Sequence, residues 1–330
     1  MGLFSNQYLA RAVLVVAIAT GTASGVAAQN VLKLGHVYET GHPMHVGATE
    51  AAKLMNECTN GSVTIDVFPS SQLGKETALN EQIRFGGVDI MFTGAIFGSS
   101  AYNPLAISAA PYIFNDRHHA LRYRTSDVFQ ELWQGWSDAT GAHILSAGYF
   151  GAFNVSSNEP VRTPADLAGV KVRVPDAPIW MAFPRAVGAN PTPIAFAEVY
   201  VALQQGVASA SVNPLPVTFA KKFYEVQEYV NLTGHLIEYV FWIVGDHVWS
   251  ALSESERACM QQAADIFGTR STELVVGQED NLREQMTQEG LIKFVEPDVA
   301  AFQQATQDVI KEMETDLNVP EGIIDRIRNL

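Results

Sequence analysis

Residues 171–229 read KVRVPDAPIWMAFPRAVGANPTPIAFAEVYVALQQGVASASVNPLPVTFAKKFYEVQEY. A mostly apolar strand over 170–174 carries Arg173 near its end and stops at Pro175, because proline cannot donate to a further ladder bond. Two helical runs follow. A second strand over 207–212 then runs into Asn213-Pro214. Open α/β sheets bind ligands where their strands stop, and this stretch puts one arginine and one asparagine at two such places. An arginine on an apolar strand must pair internally or face a cleft. Its planar fork suits a carboxylate through two parallel hydrogen bonds, which a lysine cannot make. Position alone leaves open an ion pair with Asp176 or Glu198. Asn213 can donate to the same carboxylate, or it can simply form the turn ahead of Pro214.

The alternation extends in both directions. Upstream come a strand over 31–36 and a helix over about 45–58 with Ala48, Ala51, Ala52 and Met55 on one face. A strand over 63–68, a helix over 75–85 and a buried strand over 88–92 follow. That order argues for a parallel sheet with crossover helices. Helices are expected near 117–124 and 126–139, and two separate strands at 142–147 and 150–154. Thr163-Pro164 begins a very short helix that Gly169 ends, by the preferences for a capping hydroxyl and an N-terminal proline. Ser253-Glu254-Ser255-Glu256 fits a capping box and starts a helix through roughly 286. A helix of that length exceeds one ordinary lobe. A strand at 292–295 and helices near 298–316 and 320–328 close the chain. The fold class expected is α/β, in two lobes with the chain crossing between them more than once. Lobe I would take 29–150 plus about 239–278, and lobe II 151–238 plus about 279–330.

The composition limits the function. With 47% hydrophobic and 17% charged residues over 330 positions, the chain is globular. A formal charge of −14 excludes the basic footprint that nucleic acids require. The first residues have Arg11, an apolar run over 12–19 and a small-residue end at Val26-Ala27-Ala28. That is the pattern of a secretory signal cut after Ala28, with an apolar run too short to span a bilayer. Cys58 and Cys259 would therefore face an oxidising compartment. A disulfide between them needs α-carbons within about 7 Å; two separate buried thiols are equally compatible with the sequence.

No phosphate-binding glycine loop, dinucleotide fingerprint, G-x-S-x-G elbow or H-E-x-x-H motif occurs. An enzyme and a cofactor are therefore not expected. His36, His42 and His45 cluster near Glu39 but match no metal-ligand spacing. Tyr38, Phe97, Phe153, Trp180, Phe196, Tyr239 and Trp242 fall at loop and strand ends, as the walls of a mostly apolar small-molecule site would. Core packing is the competing role for each of them.

The runs Lys171-Val172-Arg173-Val174-Pro175-Asp176-Ala177, Pro191-Thr192-Pro193-Ile194-Ala195-Phe196-Ala197-Glu198-Val199-Tyr200 and Asn213-Pro214 resemble the extracytoplasmic solute receptors of TRAP transporters, of the dicarboxylate- or sialic-acid-receptor type. Gly41-His42-Pro43-Met44-His45, Pro69-Ser70-Ser71-Gln72-Leu73-Gly74 and Lys222-Phe223-Tyr224-Glu225-Val226-Gln227 continue the likeness in one order, from about residue 31 to about 297. The resemblance implies a two-lobed periplasmic-binding-protein fold with crossing strands and a long helix shared by both lobes. It implies a periplasmic monomer that closes on a small organic acid and delivers it to the small and large membrane subunits of a permease. Arg173 stands at the family's carboxylate-binding arginine, Asn213 at its helper asparagine and Phe196 at a wall aromatic. Three departures matter: Phe153 where sialic-acid receptors carry a second arginine, Gly94 near their first-lobe acid, and Ser209-Ala210-Ser211-Val212 in place of Asp-Gly-x-Glu. They point away from sialic acid and towards a monocarboxylate with an apolar or aromatic body. A receptor for an ATP-driven importer, a sensor-coupled binding protein and a periplasmic α/β hydrolase or lyase are the alternatives.

Overall fold

The computed structural model describes residues 30–330, so the expected signal segment and its cleavage site lie outside the described residues. Alternating apolar positions bury Leu32 and Leu34 in β1 (Asn30–Gly35). Helix α1 (Pro43–Cys58) buries Ala48, Ala51 and Met55 on the face that the sequence pattern predicts. Then come β2 (Val63–Phe68), α2 (Glu76–Phe85) and β3 (Ile90–Gly94), whose five residues are all buried. The second series comprises β5 (Lys171–Val174), β6 (Asn190–Pro193) and β7 (Ala210–Asn213).

Two long strands join the series. β4 (His143–Ser157) has 15 residues and β8 (Tyr229–Val244) has 16. They pair antiparallel with each other along most of their length. Near one end of this ribbon, β8 residues 240–244 pair with β3, which continues through β1 to β2. Near the other, β4 residues 154–157 pair with β7, which continues through β5 to β6. β9 (Lys293–Val295) adds to β8 in parallel. The two parallel sets thus form a single nine-stranded sheet through a shared ribbon.

The separate strands expected at 142–147 and 150–154 are one strand, β4. Register shifts between Ile144 and Ser146, Tyr149 and Gly151, and Phe153 and Val155 break the period-two pattern, so the chain reads as if it stops. Such irregularities bend a strand without ending it. Gly151 has φ +116°, and a Cβ there would come within 3.0 Å of Pro214 and Glu279. A glycine is needed at that bend.

The long helix spans Glu254–Gln288, 35 residues, with the reciprocal capping box between Ser253 and Glu256. Its first half buries Met260, Ala263, Ala264 and Phe267 within the main core. Its far end joins a second cluster of Leu215, Val230, Leu282, Met286 and Ile292. No helix among the described residues is long and apolar enough to cross a membrane. Cys58, ending α1, is disulfide-bonded to Cys259 on the long helix, across 201 residues of chain. Of the two possibilities left open by the sequence, the packing of α1 on this helix selects the bond.

A crosslink closing so long a loop restricts the unfolded chain most. Reduction, or Cys58→Ser with Cys259→Ser, is expected to lower the unfolding free energy by about 2–5 kcal/mol, read from denaturant titrations with and without reductant.

Candidate functional site

Val172 and Val174 are wholly buried in β5, and the strand carries Arg173 into the interior at 1% exposure. Its Nε and Nη2 donate to the Ile194 carbonyl at 3.1 and 2.9 Å. Neither acid foreseen as a structural partner pairs with it: Asp176 pairs with Lys75 at 3.3 Å, and Glu198 makes no ion pair among the described residues. Nη1 has no hydrogen-bond partner among the described residues. Burial lowers the guanidinium to about 9, partly opposed by Glu76, which leaves it cationic at neutral pH. Asn213 ends β7, where its Nδ2 donates to Ser211 Oγ at 2.8 Å and its Oδ1 is open.

Both side chains line one cavity of about 270 Å³. Its wall is a chain of rings. Phe196 meets Tyr38 edge-on at 6.1 Å, Tyr38 lies 5.3 Å from Phe150, Phe150 lies 5.9 Å from Phe153, and Phe153 lies 5.0 Å from Trp180. The Trp180 Nε1–H is buried without a partner. Phe97 completes the aromatic lining. Six of the eight expected site residues therefore meet here: Arg173, Asn213, Phe196, Phe153, Tyr38 and Trp180.

Tyr239 and Trp242 do not. Tyr239 donates to the Ala120 carbonyl at 2.6 Å and packs on Phe129, on the pleat of β8 opposite to the cavity. Trp242 lies against Phe92 and Phe267. It sits four residues beyond Glu238, roughly 13 Å along the strand at 3.3 Å per residue. Both were expected at strand ends, but they lie inside β8, and the alternation and length of that strand remove them from the cavity.

Two acids take their place. Glu76 opens α2, and its Oε1 accepts from Thr93 Oγ1 and from the Gly94 backbone N–H, both at 2.9 Å. Glu238, 4% exposed on β8, accepts from the Ile96 N–H at 3.2 Å. Both acids line the cavity. Burial raises Glu76 to about 7 against those hydrogen bonds and Arg173. Burial, with the Glu76 charge adding to it, raises Glu238 to about 8. A signal for Glu238 existed, since it is the single charge within the apolar run 236–244. Glu76 carried none, because an acid in a first helical turn is ordinary.

The histidine cluster supports the wall. His36 and His42 lie against Tyr38, and His42 Nδ1 accepts from the Met44 N–H at the start of α1. Burial lowers His36 and His42 to about 3, aided at His36 by its histidine neighbours. No group of three metal-ligating side chains occurs among the described residues. Lys221 pairs with Glu39 at 2.6 Å beside the cavity, 4.9 Å from the Phe196 ring centre.

A buried arginine facing an aromatic cavity beside a bent, shared ribbon is the arrangement of a solute receptor. The chain belongs to the bacterial extracellular solute-binding proteins, family 7, which it matches over residues 34–316. It is a TRAP-type solute-binding protein, and that family binds rather than transforms its solutes. A solute-binding protein of Roseobacter denitrificans is 32% identical over 312 residues, 94% of each chain. A crystal structure of that protein with bound L-galactonate has a TM-score of 0.83 over 91% of this chain and 98% of the other. The sialic acid-binding periplasmic protein SiaP of Vibrio cholerae is 31% identical over 308 residues, 92% of this chain and 95% of its own. A TRAP periplasmic solute-binding protein from Bordetella, with density assigned to pantoate, is 28% identical with a TM-score of 0.86, over 91% of this chain and 99% of that one.

The raised Glu238 carboxyl makes a signed prediction. Its folded value lies above the ordinary 4.5, so its contribution to stability is present below about 4.5 and is lost as pH rises through about 8. Glu238→Gln removes that titration. The stability of the variant relative to the parent should therefore increase between pH 5 and pH 8.5, by on the order of a few kcal/mol. Urea midpoints at the two pH values check this.

Proposed function

We propose that this protein captures an organic monocarboxylate in the periplasm, closes around it and passes it to the membrane subunits of a TRAP permease. The observation that carries the reading is the Arg173 guanidinium. It is buried, has no acid partner, and lines an aromatic cavity with Nη1 unbonded. A buried cation without a directly paired acid is costly, and a ligand carboxylate supplies that pairing together with two parallel hydrogen bonds. Asn213 adds a polar contact beside it. The acids named for the Roseobacter and Bordetella proteins, L-galactonate and pantoate, are monocarboxylates and support this class.

The rings of Tyr38, Phe150, Phe153, Trp180 and Phe196 suit a ligand with an apolar or aromatic middle. Phe153 offers no second cation for a bulky polar acid, which argues against sialic acid. Lobe I is proposed to comprise 29–150 and about 239–278, and lobe II 151–238 and about 279–330. On that division Lys221–Glu39 and Lys75–Asp176 bridge the lobes in the closed form. Lys75–Asp176 is exposed and contributes about 0–1 kcal/mol, whereas Lys221–Glu39 is partly buried. The receptor works as a monomer after signal cleavage near Ala28.

Arg173→Ala should weaken binding of the cognate acid by about 30-fold to more than 1,000-fold, the cost of truncating one member of a buried charge pair. Arg173→Lys keeps the charge but not the fork, and should also lose most affinity. A thermal-shift screen of carboxylic acids finds the ligand through its stabilisation of the folded state. Calorimetry on the two variants, with circular dichroism to confirm folding, then gives the loss. Undiminished affinity in both variants would refute the role of Arg173.

A further inference from the structure

Gly94 and Glu238 share one space. A Cβ on Gly94 would overlap Glu238 Oε1 and stand 2.8 Å from its Cδ. The carboxyl of Glu238 occupies the volume that any other residue at 94 would fill. Its Oε1 is held there by the Ile96 N–H. Its Oε2 has no hydrogen-bond partner among the described residues, and Glu238 lines the ligand cavity. Glu76 repeats the pattern, with Oε1 engaged twice and Oε2 open. Arg173 comes from elsewhere: β4 and β7 separate β8 from β5. The register through those strands runs Arg173–Ser211–Ser156–Val230, which sets Arg173 level with Val230, eight residues along β8 from Glu238. The Glu76 charge acts on Arg173 and also on Glu238, so the cavity runs from the guanidinium past Glu76 to Glu238.

A buried carboxyl oxygen left open needs a partner. A second ligand carboxylate there would meet two acids and no unpaired cation, since Lys75, the other cation lining the cavity among the described residues, is paired with Asp176. A purely apolar ligand end would leave both acids unsatisfied. A hydroxyl both donates and accepts, so it pairs with a carboxyl in either protonation state.

We propose that Glu238 is the specificity-determining residue of this cavity: seated where Gly94 leaves room, it takes a hydroxyl at the ligand end remote from the Arg173-bound carboxylate. This rests on the carboxylate reading above. Burial, which raises both acids, is in keeping with a site that holds a monoanion without a second net charge.

The test is calorimetry with two matched pairs of acids, pantoate against 2-hydroxy-3,3-dimethylbutanoate and 4-hydroxyphenylacetate against phenylacetate. Each pair differs by one hydroxyl distant from the carboxylate. In the parent protein the hydroxylated member of the pair that binds should be favoured by about 10- to 100-fold, as expected when its loss leaves a buried acceptor unpaired. Glu238→Leu should bring the two members to within about three-fold of each other, and Glu238→Gln, whose amide still accepts and donates, should restore most of the preference. Gly94→Ala, which displaces the carboxyl without deleting it, should abolish the preference as Leu does, and serves if the Leu variant does not fold. Equal binding of the two members by the parent, or an undiminished preference in both Glu238→Leu and Gly94→Ala, would overturn the assignment of Glu238 while leaving Arg173 as the anchor. Failure of the parent to bind any carboxylic acid would overturn the carboxylate reading, and this proposal with it.

Discussion

A buried guanidinium with no acid in direct ion pair with it among the described residues sits at the centre of this molecule. Arg173 reaches 1% exposure at the end of β5 with only the Ile194 carbonyl as its hydrogen-bond partner. Two hydrogen bonds to a neutral carbonyl satisfy part of the fork but do not balance the charge. The remainder is available to a ligand. The surrounding rings give the cavity an apolar lining, and a low local dielectric strengthens any charge pair formed there. They also make the unliganded site expensive to close.

The fold makes such a site possible by keeping two parallel strand sets on one ribbon. β4 and β8 belong to both sets, so the cavity between them can be lined from each side while the backbone stays continuous. The irregularities in β4, with Gly151 at the bend, provide curvature without a break in pairing. The long helix and its disulfide to α1 brace this frame from behind. Rigidity in the frame and a charge deficit in the cavity fit a molecule whose work is to close on a solute.

Much of this was legible in the chain. The alternation of strands and helices located nearly every element, and the Ser253 box marked the start of the long helix at its observed cap. Arg173 and Asn213 could be placed because Pro175 and Pro214 end strands in a way that local sequence records, and Phe196 through the family resemblance. The single strand β4 was read as two because its bulges imitate a stop. Glu76 looked like an ordinary first-turn acid, and Glu238 like an impurity in an apolar run. Tyr239 and Trp242 were read as strand-end aromatics, whereas the pleat and length of β8 assign them to the core.

The sequence by itself determined the fold class and the order of most strands and helices, because period, proline and glycine act over a few residues; position left Arg173 with two roles, and the family resemblance favoured the ligand-binding one. Tertiary structure alone decided which groups converge on that arginine. It decided that neither Asp176 nor Glu198 neutralises Arg173 and that Cys58 meets Cys259 across 201 residues. It also decided that Glu238 fills the space left by Gly94. Each of these depends on distance between segments far apart in the chain, which no local pattern encodes. The same holds for the energetics, since an arginine or a glutamate changes its chemistry only when other elements remove its water.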